Sequence, residues 1–363
     1  MTKPYFALSK RKVLEQYNKI KQLCDVVSYS SKTNQDVTKI LEAQQESKEC
    51  MFSVHFVNEL QHITDCSRVI FLAQAWTQQE IRDLINAGIS WFVVDNESDL
   101  DKLLNYVEYY DVQITLLLRM KIRENTLKTE RYFVFGMTSD VINRRIKEIS
   151  ENQYLKGKIN QLGIHFHRKT QNMSEWNLQY ELSQILDKDV LEKISWINIG
   201  GGLPSEYANT NAKVVEGIFN KITELRQWLS AYNIRLIIEP GRFIAASSAK
   251  LVTNIIAIHQ NTIIVNASVY NSDMDAVIVP VKLLIQSELT KEEAESKNAE
   301  LDKEDIRAYA VKGITPCSMD LFRYKVYLKE PKIGDEIIFL NAGAYNFTTD
   351  FCDLERLETK VIE

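Results

Sequence analysis

Read for where its apolar residues fall, the chain has two textures. Up to about residue 245, short apolar runs alternate with stretches whose apolar residues recur every three or four positions. The runs Val26–Ser31, Met51–His55, Val69–Leu72, Ser90–Val94, Ile114–Leu118, Gly163–His167, Ser195–Ile199 and Leu236–Glu239 predict strands. Between them, Val37–Gln45, Gln78–Ala87, Glu97–Val107, Asp140–Ser150 and Val214–Leu229 carry the period of amphipathic helices. Strand and helix in strict alternation specify a parallel sheet with helical crossovers. Eight such strands match a (β/α)8 TIM-type barrel, with a doubly wound open sheet as the alternative.

Beyond residue 245 the helical period fades. Lys250–Ile258, Asn261–Val269, Ala276–Ile285, Ala308–Val311, Phe322–Leu328 and Glu336–Phe339 read as strands separated by turns. Lys3–Leu8 is a further strand that returns to them. The expected division is a barrel of residues 9–245 and a β-sandwich or barrel-like domain of residues 1–8 plus 246–363. Ser287–Asp305, dense in charges of both signs, reads as a solvated helix or mobile loop.

Composition narrows the setting. The net charge of −5 with dispersed basic residues argues against a nucleic-acid surface. No apolar run reaches the roughly 18 residues of a membrane span, and the N-terminus lacks the apolar core of a signal peptide. Five cysteines without CxxC spacing suggest neither a disulfide framework nor a zinc site. The expected setting is the cytoplasm, with no metal. Glycine is scarce, 12 in 363 residues, yet three stand together at Gly200, Gly201 and Gly202.

Barrel active sites form at the C-terminal ends of strands, and phosphates often sit at the loops after the seventh and eighth. Here those loops are Ile199-Gly200-Gly201-Gly202-Leu203-Pro204 and Glu239-Pro240-Gly241-Arg242. The glycine amides could wrap a phosphate or simply form a tight turn. Arg242 could pair with phosphate as a fork. Glu239 ends an apolar strand, where a carboxylate is costly unless paired. Lys32 ends the first strand, either as a surface residue or as a Schiff-base lysine. Arg119 closes the fifth strand. His165 and His167 close the sixth, and alternation is expected to turn only one of them inward.

Ser30-Ser31-Lys32-Thr33-Asn34, Gly163–His167, Gly200–Gly202 and Glu239-Pro240-Gly241-Arg242 together resemble the fold-type III pyridoxal-phosphate decarboxylases. That family includes the ornithine, diaminopimelate, biosynthetic arginine and carboxynorspermidine decarboxylases, and its barrel is like that of the alanine racemases. Gly313–Asp320 and Asn341-Ala342-Gly343-Ala344-Tyr345 extend the match, in order, along nearly the whole chain. The resemblance implies pyridoxal 5′-phosphate as cofactor, attached to Lys32. His167 stacks on the ring, Glu239 pairs with the pyridine nitrogen, and Arg119 supports the ring. Gly200–Gly202, Gly241, Arg242 and Tyr345 lie at the phosphate. It also implies a homodimer with shared active sites, in which Cys317 and Asp320 serve the other subunit. Glu239 rather than an arginine beside the ring nitrogen favours decarboxylation over racemisation.

Three departures bear on the substrate. Aligned on Pro280, Val279 stands where the diaminopimelate enzymes carry an arginine and the ornithine enzymes an acid. Aligned on Asp320, Pro316 holds the family's cysteine position and Cys317 the acidic one. Either Cys317 returns the proton that replaces carbon dioxide, or Lys32 or water does. Ser53 replaces an acid after the second strand, with His55 and Lys282 as further candidate contacts, and Tyr270 joins Cys317, Val279 and Asp320 as a candidate substrate residue. The reading is a decarboxylase of an L-amino acid or amino-acid-terminated intermediate, other than standard ornithine or meso-diaminopimelate, from polyamine, siderophore or peptide-antibiotic chemistry. The alternatives are an amino-acid racemase and a non-catalytic binding protein like the antizyme inhibitors.

Overall fold

In the computed structural model, which describes residues 2–110, 112–122, 134–299 and 305–363, strand β1 (Tyr5–Ser9) precedes eight parallel strands. These are β2 (Val26–Ser30), β3 (Met51–Val54), β4 (Val69–Ala73), β5 (Trp91–Val94), β6 (Ile114–Arg119), β7 (Ile159–His165), β8 (Trp196–Asn198) and β9 (Arg235–Ile238). Each pairs with its successor, and β9 pairs with β2 to close the barrel. Closure buries the apolar runs on both faces, which is why they read as continuous rather than alternating. Ile70, Val93, Leu117, Trp196 and Ile237 form its core cluster, each no more than 2% exposed.

The crossover helices begin where the sequence supplies caps. The Asn34 side chain accepts from the amides of Asp36 and Val37, starting helix Gln35–Ala43 directly after the turn that carries Lys32. Thr77 and Glu80 form a capping box for helix Gln78–Asn86. Lys32 is thus held between β2 and a capped helix.

The chain folds as two units. The barrel unit is Leu14–Pro204 with Lys213–Gly241; the other is Met1–Val13, Ser205–Ala212 and Arg242–Glu363. The second unit contains β10 (Ala249–His259), β11 (Thr262–Val265), β12 (Leu284–Ile285), β13 (Ile306–Lys312), β14 (Leu321–Lys329), β15 (Glu336–Leu340) and β16 (Glu358–Ile362). Its mostly antiparallel sheet runs β12-β15-β10-β11-β13-β14, with β1 joining β10 and β16. Phe322 and Phe339 stack in its interior with centroids 4.7 Å apart.

Several local expectations are corrected. Ala276–Ile285 is not one strand: a short helix, Asp275–Ile278, comes first and only Leu284–Ile285 pairs. A short apolar run has no period of its own, and Pro280 offers no amide for a ladder. Val277 and Ile278 are 39% and 58% exposed, unlike core strand residues. Asn261–Val269 also stops early, because Ser268 caps a helical turn at Val269–Ser272. Within Ser287–Asp305 lies helix Lys291–Ala299; residues 300–304 fall outside the described residues. Strand β16, largely exposed, has no apolar alternation to announce it. Among the described residues, no helix is long and apolar enough to cross a membrane.

Candidate active site

At the C-terminal rim of the barrel, β9 delivers Glu239, which is 5% exposed. Asn198, ending β8, donates from Nδ2 to Glu239 Oε1 at 2.8 Å, and His165, ending β7, places Nε2 3.4 Å from Oε2. Burial by itself raises a carboxyl group, but His165, His55 and the Asn198 amide outweigh it and hold Glu239 well below the usual carboxylate range. Glu239 is therefore an ionised carboxylate inside the barrel.

Asn198 has a second task. Its Oδ1 accepts from the Gly200 amide at 2.9 Å, so one side chain ties the carboxylate to the glycine loop. The backbone of that loop is left-handed at Gly200 (φ 64°) and Gly202 (φ 91°). A Cβ at Gly200, Gly201 or Gly202 would lie 2.6–2.8 Å from the carbonyl oxygens of Phe166, Glu239 and Lys169. Conformation and close packing both demand glycine there.

Lys32 keeps a solvent-open face in a recess crowded by protein. That crowding lowers its amine, Glu239 and Glu59 offset part of the effect, and Arg119 adds to it. An amine made easier to deprotonate is a better nucleophile toward an aldehyde. His167 is similarly open on one side. Its Nδ1 accepts from the Gly201 amide at 3.1 Å, so the neutral ring carries its proton on Nε2. Desolvation, with His165 and Lys32, pulls it down to about 3, so it is neutral near pH 7. Arg119 is oriented by Asp95, 3.1 Å from Nη1, and its guanidinium lies 4.8 Å from the Phe135 ring centroid.

His165 and His167 both enter this cluster, which corrects the expectation that only one would. Residues two apart share a face, and each histidine feels the charge of Glu239 or Lys32. Ser53 is engaged elsewhere, its hydroxyl 2.7 Å from that of Ser28. His55 lies near Lys32 and Glu239, and burial followed by the Lys32 charge lowers it to about 3.

In the second unit Arg242 is 4% exposed. Both its terminal nitrogens donate to Asp275, with Nη2 to Oδ1 at 2.8 Å, and Nη1 also donates to the Tyr207 hydroxyl at 2.8 Å. The Tyr345 ring centroid lies 5.1 Å from the guanidinium. Tyr270 OH is 3.0 Å from Cys317 Sγ, and its ring stacks on Phe351 at 4.0 Å. The tyrosine hydroxyl lowers the Cys317 thiol, helped by a backbone amide at Met319. Asp320 is fully buried, accepting from the amides of Val269 and Thr315 and from the Thr315 hydroxyl at 2.9, 3.0 and 2.7 Å. Val279 is the half-buried C-cap of the short helix Asp275–Ile278. Lys282 is half-buried and near Asp273.

Sequence reasoning missed Asn198, Asp95, Glu59, Tyr207 and Asp275. Asn198 had a signal, a lone polar residue ending an apolar strand beside the glycine triplet; the others became visible only through their partners.

The sequence profile described as "Pyridoxal-dependent decarboxylase, pyridoxal binding domain" matches residues 10–246. Diaminopimelate decarboxylase of Campylobacter jejuni is 23% identical over 77% of this chain and 69% of its own length. The Staphylococcus aureus 2-[(L-alanin-3-ylcarbamoyl)methyl]-2-hydroxybutanedioate decarboxylase is 24% identical over 79% of this chain and 74% of its own. Among solved structures, diaminopimelate decarboxylase of Helicobacter pylori complexed with L-lysine superposes with a TM-score of 0.79 at 17% identity, covering 100% of this chain and 92% of its own. The Vibrio vulnificus lysine/ornithine decarboxylase complexed with putrescine gives 0.75 at 20% identity over 99% and 94%.

Proposed function

The chain belongs to the pyridoxal-dependent decarboxylases, and on that premise we propose that it removes the α-carboxyl group of an L-amino acid or amino-acid-terminated intermediate other than ornithine or diaminopimelate. The observation that carries this reading is the buried, ionised Glu239, held by Asn198 and His165 in electrostatic reach of Lys32. These residues fit pyridoxal phosphate: a carboxylate kept charged in a buried place calls for a cation, which a protonated pyridine nitrogen provides. When bound, that cofactor supplies the electron sink for the pair left behind by carbon dioxide.

The chain's own residues have these roles. Lys32 would hold the cofactor through its aldehyde, its lowered basicity favouring the free amine. Glu239 keeps the ring nitrogen protonated, and Asn198 and His165 keep Glu239 ionised. By the family resemblance His167 would stack on the ring, and Arg119, aimed by Asp95, would support it. Gly200–Gly202 offer backbone amides to the phosphate, to which Gly241, Arg242 and Tyr345 are also assigned by the family resemblance.

Two copies share their sites in this proposal, and Cys317 returns a proton to the substrate carbon. Asp320 shapes the loop that presents Cys317, its oxygens being used within that loop. Tyr270 makes the Cys317 thiol more acidic. Val279 offers neither charge that ornithine or diaminopimelate requires, and losing a buried charge partner costs about 3–5 kcal/mol. The Staphylococcus aureus relative, whose name describes a substrate with a large acyl extension, supports a bulkier amino acid here. Five free cysteines agree with a cytoplasmic setting.

Incubation of the cofactor-loaded protein with a metabolite panel, read by mass spectrometry for loss of carbon dioxide, tests the proposal. Decarboxylation that disappears in Lys32→Ala together with the visible cofactor absorption is expected. Inversion of an amino acid without carbon dioxide release would assign a racemase. A protein that never acquires the cofactor band would point to the non-catalytic reading.

A further inference from the structure

Two carboxyl groups lie close together inside the second unit, and one of them holds a guanidinium. Asp275 is 1% exposed and takes both terminal nitrogens of Arg242. Its backbone amide donates to Asn346 Oδ1 at 3.4 Å, holding the turn against the Tyr345 segment. Two residues earlier, Asp273 is fully buried and neither of its carboxyl oxygens makes a hydrogen bond of good geometry, although the nearby Ala276 amide and Lys282 favour its charged form. The groups facing this pair are Arg242 and Tyr207 on Asp275, and Asp275, Tyr207 and Lys282 on Asp273. A buried carboxylate without a partner is costly enough that the group keeps its proton instead. Burial, then the Asp275 charge, accordingly raise Asp273 well above the ordinary range, and burial raises Asp275 as well. Burial without a good partner thus favours a proton on Asp273, while Asp275 stands against the Arg242 guanidinium.

We propose that Asp275 is a positioning residue which holds Arg242 until an anion arrives, and that binding of a phosphate group to Arg242 is coupled to uptake of one proton by the Asp273–Asp275 pair. This inference rests on the assignment of Arg242 to the cofactor phosphate. A phosphate dianion brought to a guanidinium already neutralised by Asp275 sets like charges against each other where water does not screen them. Neutralising Asp275 removes that repulsion and frees one edge of the planar fork for the phosphate. Asp273, already protonated, prevents a second negative charge from standing behind the first. Val279 is the C-cap four residues after Asp275, its amide bonded to the Asp275 carbonyl at 2.9 Å. Asp275 thus stands one helical turn before Val279, directed to the arginine.

The test uses phenyl phosphate, a monoester with neither aldehyde nor titrating ring, whose second ionisation near pH 6 is complete above about pH 7.5. Its affinity is measured by calorimetry between about pH 7.5 and 9 in the Lys32→Ala protein, so that the lysine's own titration does not contribute. Uptake of one proton predicts affinity falling about tenfold per pH unit, and uptake is read directly from the dependence of the heat on buffer ionisation. Asp275→Asn is expected to bind more tightly at pH 9, with a flat profile. Asp273→Asn, a mimic of the protonated acid, should melt like its parent and keep the slope. A flat profile in the Lys32→Ala protein overturns the inference even if Asp275→Asn does not fold. An Asp275→Asn profile as steep as its parent's also overturns it. If the wild-type protein does not bind pyridoxal phosphate at all, the cofactor reading falls too; binding of the cofactor with a pH-independent ester affinity defeats this inference alone.

Discussion

Replacing Asn198 by aspartate tests whether the charge on Glu239 is what the site depends on. Asn198 is fully buried and its Nδ2 donates to Glu239 Oε1 at 2.8 Å. Asn198→Asp keeps the size and the acceptor toward Gly200, but turns that donor into a second carboxylate oxygen. Two unit charges at that 2.8 Å separation repel by about 6 kcal/mol at an effective dielectric of 20. At about 1.36 kcal/mol per pKa unit, that amounts to roughly 4 units, enough to keep a proton on the pair through neutral pH. The pair then carries one charge shared over two groups, and its titration belongs to the pair rather than to either residue. Protonation of the cofactor ring is no longer assured, and a loss of about 10²–10³ in kcat is expected, the scale on which one preorganised electrostatic contact contributes. The sign with pH is defined: kcat should rise as pH is raised and the shared proton leaves, along a limb that the wild-type enzyme lacks. Steady-state kinetics from about pH 6 to 9 on cofactor-loaded protein read this, with visible absorption confirming loading. A fully loaded Asn198→Asp enzyme with wild-type kcat and the wild-type profile would refute the role given to Glu239.

Further tests address the Cys317 loop. A Cβ at Gly313 would lie 2.1 Å from Asp320 Oδ1, so Gly313→Ala should displace that carboxylate from Val269 and Thr315 and destabilise the protein by about 1–3 kcal/mol; unchanged chemical denaturation would contradict it. The Tyr270 hydroxyl lowers the Cys317 thiol, so in Tyr270→Phe alkylation of Cys317 should begin at higher pH, the thiolate being less favoured without its donor. Coincident rate-versus-pH curves for the two proteins would remove Tyr270 from that role.

The chain's own order of residues was enough for the barrel. Each barrel strand is a short apolar run bounded by turn signals, and the crossover helices carry both the period and the caps that start them. It also placed Lys32, Arg119, His167, Gly200–Gly202 and Glu239 at strand ends, because a parallel barrel brings those ends to one rim whatever the side chains do next. Where local pattern carries no period, at Ala276–Ile285, the strand expectation failed and Pro280 with a helical turn prevailed. The electrostatic environment of those residues comes instead from contacts made on folding. Asn198 with Glu239, Arg242 with Asp275 and Tyr270 with Cys317 are 41, 33 and 47 positions apart. Local propensity acts over a few residues, whereas ionisation depends on burial and on neighbours that chain closure supplies. Local pattern therefore specifies the frame and the kinds of groups at its rim. The fold determined which of them are charged, and which group holds each one in place.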